Sequence, residues 1–194
     1  MHDAMERHFF ELTIDVYVPG RWYFKTPTTT SGDPIDNPWV FTSGKPIEPP
    51  GRLFVPLSRQ GKPLDFTSAG VGLTPIVSAR VASVFREMAP DDTQLFQVEV
   101  EGQSEPYHLL IAAREVRCID DTACDEVRRW TSEDGRPDRV DEYHVISGLR
   151  IDKSKVGDAR VFRPWGYHTA LIVSGEIKEA LERTGIVGGR FVEV

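Results

Sequence analysis

The sequence predicts an α+β fold: a mixed or antiparallel sheet with two main amphipathic helices and a Pro-rich N-terminal region of short strands and loops. Three observations carry that prediction. Ten of the fourteen prolines lie at or before Pro75, and each lacks an N–H and fixes φ, which rules out long helices and central strands there. Two later segments place apolar residues at helical spacing behind a serine. Runs that alternate apolar and polar residues adjoin both, as half-buried strands do.

In chain order, Phe9 to Val18 reads as a first strand and residues 19 to 74 as short extended pieces and turns. Thr28-Thr29-Thr30-Ser31-Gly32 is a loop tip and Pro49-Pro50-Gly51 a second break. Trp22, Tyr23, Phe24, Trp39 and Phe41 give this region the aromatic surface to pack down on a core. Thr74 or Ser78 caps a helix whose stripe is Val81, Val84, Phe85 and Met88, and Pro90-Asp91-Asp92 ends it. Leu95 to Val100 is a strand, Glu101-Gly102-Gln103-Ser104 a turn, and Tyr107 to Ala112 a second strand that continues raggedly to Ile119. Residues 120 to 142 read as a polar loop with a turn at Asp134-Gly135-Arg136-Pro137. Strands around Tyr143 to Ile146 and Arg160 to Phe162 follow. Ala170 to Val173 then leads into a helix from Ser174 through Leu181, stopped at Gly185, and Arg190 to Val194 is the last strand. The division is a Pro-rich region over 1–70 and an α+β domain over 71–194, together one compact unit.

The segments Ile76-Val77-Ser78 to Phe85 and Ile172-Val173-Ser174 to Leu181 look alike, and each is followed by a short strand. An internal duplication and a convergent recurrence of capped helices both explain this, and the sequence leaves the two open.

With 23 Lys and Arg against 30 Asp and Glu, the formal charge is −7. That balance argues against nucleic acid or an anionic membrane as partner, because phosphate binding needs a basic footprint. A chain of this length buries about 70% of its unfolded surface and needs no metal or disulfide to hold together. Cys118 and Cys124 do not make a secreted disulfide scaffold. No apolar run approaches the ~18 residues of a membrane span, and the first eight residues lack the apolar run of a signal peptide. The expected location is cytoplasmic.

Catalytic spacings are missing. Neither G-x-x-x-x-G-K-[ST] nor G-x-G-x-x-G, G-x-S-x-G or H-E-x-x-H occurs. Cys118 and Cys124 stand six apart, outside zinc-knuckle spacing. His108 reads as a surface or edge histidine on a strand, and His2 and His8 fall in the N-terminal arm. His168 follows Pro164-Trp165-Gly166-Tyr167, which looks like a binding hairpin and not like the setting of a base held by a carboxylate.

Residues 120 to 142 concentrate charge. Nine acids, among them Asp120, Asp121, Asp125, Glu133, Asp134 and Asp138, oppose four arginines, a local charge of −5. Trp130 sits among them, and Trp is frequent as an interface anchor. Two readings stand side by side: a solvated loop with one aromatic tucked into the core, or an acidic recognition loop for a basic protein partner. In the second, Trp39, Trp165 and Tyr167 join Trp130 as exposed aromatic contacts.

The order of Ile76-Val77-Ser78 with its helix, Phe96-Gln97-Val98-Glu99-Val100, Pro106-Tyr107-His108-Leu109-Leu110, Val116-Arg117-Cys118-Ile119-Asp120, Val161-Phe162-Arg163 and the Ile172-Val173-Ser174 helix to Phe191-Val192-Glu193 carries a resemblance. Over roughly residues 70 to 194 the chain resembles a polymorphic-toxin immunity family, the eleventh in the numbered immunity series and formerly a domain of unknown function, in a myxobacterial-type form. The resemblance implies a small α+β protein that protects its producer by binding a secreted toxin. It implies no catalytic residues and no cofactor. A small hydrolase using His144 or His168, or an adapter that pairs through the strand edge Phe191 to Val194 as a homo-oligomer, are the alternatives.

Overall fold

A computed structural model describes residues 6–194, so His2 lies outside the described residues. The chain forms β1 (Phe9–Ile14), β2 (Tyr23–Phe24), β3 (Thr28–Thr29), β4 (Leu53–Val55), β5 (Leu57–Arg59), β6 (Phe66–Ala69) and β7 (Thr74–Ser78) before the first helix, α1 (Ala79–Met88). After it come β8 (Thr93–Val100), β9 (Tyr107–Ala112), β10 (Glu115–Val116), β11 (Glu126–Arg129), β12 (Tyr143–Ser147), β13 (Val161–Pro164) and β14 (Ile172–Ser174). The chain closes with α2 (Gly175–Thr184) and β15 (Gly189–Glu193). This is the expected α+β fold.

The strands join into an eight-stranded sheet of order β3-β4-β8-β9-β7-β6-β2-β5, a five-stranded sheet of order β10-β13-β14-β1-β15, and the β11–β12 pair. The two large sheets share one topology. In the first, β7 and β8 flank α1 in the chain, and β9 lies between them antiparallel to both, with β6 antiparallel on the far side of β7. In the second, β14 and β15 flank α2, β1 lies between them antiparallel to both, and β13 takes the place of β6. The likeness of the two serine-led helices therefore extends to their strands. The inserted strand follows the helix in one unit and comes from the chain's start in the other.

The central strands β7, β9 and β14 are buried on both faces, which is why they read as nearly continuous apolar runs. Alternate residues serve different cores. Val77, Leu110, Leu12 and Val173 pack with Val81, Phe85, Ile177 and Leu181 of the two helices. Ile76, Leu109, Ile111 and Val98 face the other way, onto Trp22, Phe24, Phe41, Leu53 and Val55 of the Pro-rich region. Phe9, Phe162 and Ile172 face Cys118, Ile151 and Val156. The elements of the Pro-rich region that follow β1 and make these contacts include strands of two to four residues.

Ser78 and Ser174 are the helix N-caps, while Thr74 is a buried strand residue. Ser174 accepts from the Ile177 amide, and α2 stops at Gly185 in the left-handed region. Ser78 instead donates its hydroxyl to Asp65 at 2.7 Å. Two expectations need correction. Residues 120 to 142 are not wholly loop, since Glu126–Arg129 pairs antiparallel with Tyr143–Ser147; the charges on β11 hid a strand whose register is set by backbone pairing. His108 is no edge residue, because β9 is bonded to β7 on one side and β8 on the other. The last strand, β15, is the edge the sequence suggested.

Two buried carboxylates tie the units together. Asp65, ahead of β6, accepts from the Val187 amide in the α2–β15 turn (2.8 Å) and from Arg80 through two nitrogens (2.7 and 2.6 Å). Asp92, between α1 and β8, accepts from the Arg160 and Val161 amides at β13 (2.7 and 3.2 Å) and from Arg114 (3.1 Å). Burial works to raise the pKa of Asp65, but the bonds from Arg80, Val187 and Ser78 outweigh it and hold the carboxyl below its ordinary value. A depressed folded pKa stabilises the fold above the unfolded value, and the benefit fades as pH falls through the folded one. Asp65→Asn is expected to cost about 1–3 kcal/mol at neutral pH. Urea unfolding across an acid pH series should show the two proteins converging as Asp65 protonates; a gap that persists at the acid end would contradict this account.

Candidate functional site

Four segments meet around a cleft of about 600 Å³. The first is a 3-10 turn, Pro38–Thr42, started by the Asn37 side chain, which accepts from the Trp39 amide at 3.2 Å. The turn buries Phe41 and Thr42 and leaves Trp39 56% exposed at the cleft. The second is the β6–β7 turn. Gly70 sits at φ +65°, and a Cβ there would meet the Thr26 backbone at 2.5 Å, so the turn admits no side chain at that point. It projects Val71 and Leu73, 69% and 48% exposed, into the cleft lining. Leu73 itself has φ +51°, a left-handed conformation that costs an L-residue roughly 1–2 kcal/mol.

The third segment is the β11–β12 hairpin. The Trp130 amide donates to Glu142 O and the Asp141 amide to Trp130 O, which narrows its mouth. The Trp130 ring stacks on His144 with centroids 3.7 Å apart, and the Arg139 guanidinium lies 5.4 Å from the Trp130 centroid. Arg139 in turn donates to Glu142 at 3.1 Å. The base of the hairpin is fixed by Asp121, which accepts from Arg129 (2.7 Å) and from the Tyr143 hydroxyl. Burial and the neighbouring Asp121 push Tyr143 up to about 12, so it stays a donor. Desolvation works to raise the pKa of Asp121 as well, yet the Tyr143 and Arg129 bonds leave it lowered.

The fourth is the loop after β13. Arg163 is 1% exposed and donates through Nη1 to the carbonyls of His168 (2.9 Å) and Thr169 (3.4 Å), while its Nε and Nη2 are buried without a hydrogen-bond partner among the described residues. Burial lowers its pKa to about 10, opposed by Glu11, and it remains a cation at neutral pH. His168 is held by Glu115 through Nε2. The expectation that no carboxylate holds His168 is thus corrected; the partner lies 53 residues away in sequence, out of reach of any local motif.

The cleft brings Trp39, Trp130 and Tyr167 together with His144, His168, Arg136 and Arg139. The acids proposed for the site do not line it. Asp120 accepts from Thr122 and Ala123 within its own turn, Asp134 from Thr131, and Asp138 from Arg136. Asp125 lies against Gly148 and Glu133 is exposed. Trp165 is half-buried under the Arg117 guanidinium, 4.0 Å from its ring centroid, and is not part of the lining. Sequence reasoning missed Val71 and Leu73, whose only signal was an apolar residue on either side of Gly72. It also missed the arginines, which were counted as charge and never placed. Among the described residues, no group of three or more His, Cys, Asp or Glu side chains is positioned to hold a metal ion.

The strain at Leu73 gives a stability test. Glycine relieves the left-handed cost of roughly 1–2 kcal/mol and adds about 0.5–1 kcal/mol of unfolded-chain entropy. Leu73→Gly is therefore expected to leave stability unchanged or raise it by up to about 1.5 kcal/mol. A loss larger than that in chemical denaturation would show that the side chain packs.

The search of curated proteins returns no match. A family model does match, over residues 19–194, and so takes in most of the Pro-rich region that the resemblance over 70 to 194 had left aside. No helix of the described residues is long and apolar enough to cross a membrane. With nearly the whole chain matched, the protein belongs to the immunity protein family Imm11.

Proposed function

We propose that this immunity protein neutralises its cognate toxin by direct binding, in the cytoplasm of the producing cell, and that the cleft with its exposed rim is the contact surface. The observation that carries the reading is Leu73, a large apolar side chain held exposed in a left-handed backbone conformation beside Trp39 and Val71. Strain of this kind persists where the surroundings impose it, and it clusters at functional sites. Contiguous exposed apolar residues around a concave aromatic floor fit an interface centre better than a solvated surface. An interface of ordinary size, about 1,600 Å² in total, would extend beyond the cleft onto the carboxylates outside it, including Asp125 and Glu133. Those acids fit a partner of basic character, approached by long-range attraction.

The test is co-expression with the toxin encoded beside the gene. Wild type should rescue growth, and Trp39→Ala and Leu73→Asp should each weaken toxin binding by about 2 kcal/mol or more, as hot-spot residues do. Continued killing by the toxin in the presence of soluble wild-type protein would refute neutralisation, while unweakened binding by both variants would remove the cleft from the interface.

One contact favours a second reading, catalysis: the His168–Glu115 pair opens on the same cleft, and a carboxylate-oriented histidine is a general-base arrangement. Binding without catalysis predicts that His168→Gln retains protection in the same assay. Protection lost while toxin affinity is kept would favour the enzyme.

A further inference from the structure

Beside the cleft lies a second, smaller well of about 100 Å³ that shares Leu73 and Thr169 with it. Leu12, Phe66, Pro75 and Leu171 form much of its wall, and the buried Arg163 guanidinium lies among them. Among the described residues, no Asp or Glu lines this well. Arg163 bonds, among the described residues, to two backbone carbonyls, and its Nε and Nη2 are buried with no hydrogen-bond partner there. Glu11 acts on the guanidinium through space, but buried donors left without an acceptor are costly, and a guanidinium presents paired N–H donors in the geometry of a carboxylate.

Resting on the proposed toxin-binding cleft, we propose that this well receives one carboxylate of the toxin, an Asp or Glu side chain, which Arg163 clamps past the rim formed by Leu73 and Thr169. The volume suits a carboxyl group on a short stem and is too small for a nucleotide. Every unmatched Arg163 atom is a donor, so the occupant must supply acceptors. The apolar wall excludes water and strengthens the pair. The strained Leu73 backbone sits at the mouth of both hollows, which places the exposed apolar contact and the buried charged one within a single docking segment of the partner.

Acetate is the first probe. Titrated into the free protein and followed by amide NMR, it should shift Leu73 and Thr169 saturably, and the shifts should vanish in Arg163→Met. Methylammonium should leave both amides unmoved. With the toxin itself, Arg163→Met should lower affinity about thirtyfold or more, the usual scale for losing one partner of a buried charged bond. Thr169→Glu, which keeps Arg163 and supplies a carboxylate in cis, should also weaken the toxin and abolish the acetate shifts. Replacement of the toxin's interfacial acids by amides, one at a time, should single out one position whose loss matches that of Arg163→Met. If Trp39→Ala weakens toxin binding but neither Arg163→Met nor Thr169→Glu does, the carboxylate clamp is wrong and the cleft reading stands. If Trp39→Ala and Leu73→Asp bind as wild type, the cleft reading itself has failed. Acetate shifts that survive in Arg163→Met would assign the anion to another site and overturn the clamp.

Discussion

The two strand–helix–strand units hold together through Asp65 and Asp92. Each carboxylate is buried at the end of one unit and accepts backbone amides from the other: Val187 for Asp65, Arg160 and Val161 for Asp92. Backbone amides at a buried junction must be paired, and neither unit's own ladder reaches these. A carboxylate can take several donors at once, and an arginine neutralises each one. Removing either acid would leave amides unpaired and take from Arg80 or Arg114 its buried carboxylate, so the junction is set by charge-assisted bonding while α1 and α2 supply the apolar contact across it.

That junction explains the chain path. The second unit takes β1 where the first takes β9, so the segment that carries β1 is structural where it enters the sheet. The chain then crosses to the outer face of the larger sheet, and residues 20 to 64 cover it with Trp22, Phe24 and Phe41. Prolines suit this role, since short strands at the sheet's flanks need few donors and the fixed φ lowers the entropy lost on ordering. By packing there, the same region carries Trp39 to the rim of the cleft. The site therefore draws on the Pro-rich region, the first unit and the segments flanking the second.

Much of the fold was legible because its signals are local. Val81, Val84, Phe85 and Met88 declare α1 by spacing alone, and Leu95 to Val100 declares β8 by alternation. Elements whose existence depends on partners were not legible. Glu126–Arg129 has the composition of a solvated loop and becomes a strand because Tyr143–Ser147 pairs with it. Of the cleft lining, the aromatics Trp39, Trp130 and Tyr167 were singled out by residue type. Leu73 was missed because its distinction is a backbone angle, and Arg163 because an arginine between Phe162 and Pro164 gives no hint of total burial.

The charge of residues 120 to 142 shows why a count is a poor guide to contact chemistry. Its local charge of −5 suggested an acidic surface, yet Asp121, Asp134 and Asp138 are spent on Arg129, Thr131 and Arg136, while Arg136 and Arg139 turn toward the cleft. Paired surface charges a few ångströms apart cancel beyond the Debye length of about 8 Å and contribute little at contact. What remains at long range is the net sign of the whole molecule, which sets how fast a partner arrives. In the proposed complex, what acts at contact is the group inside the wall whose donors are unmet, and that group, Arg163, is a cation. On that proposal, encounter and residence would be governed by charges of opposite sign, and the arrangement would select for a partner's overall character and for one particular side chain independently.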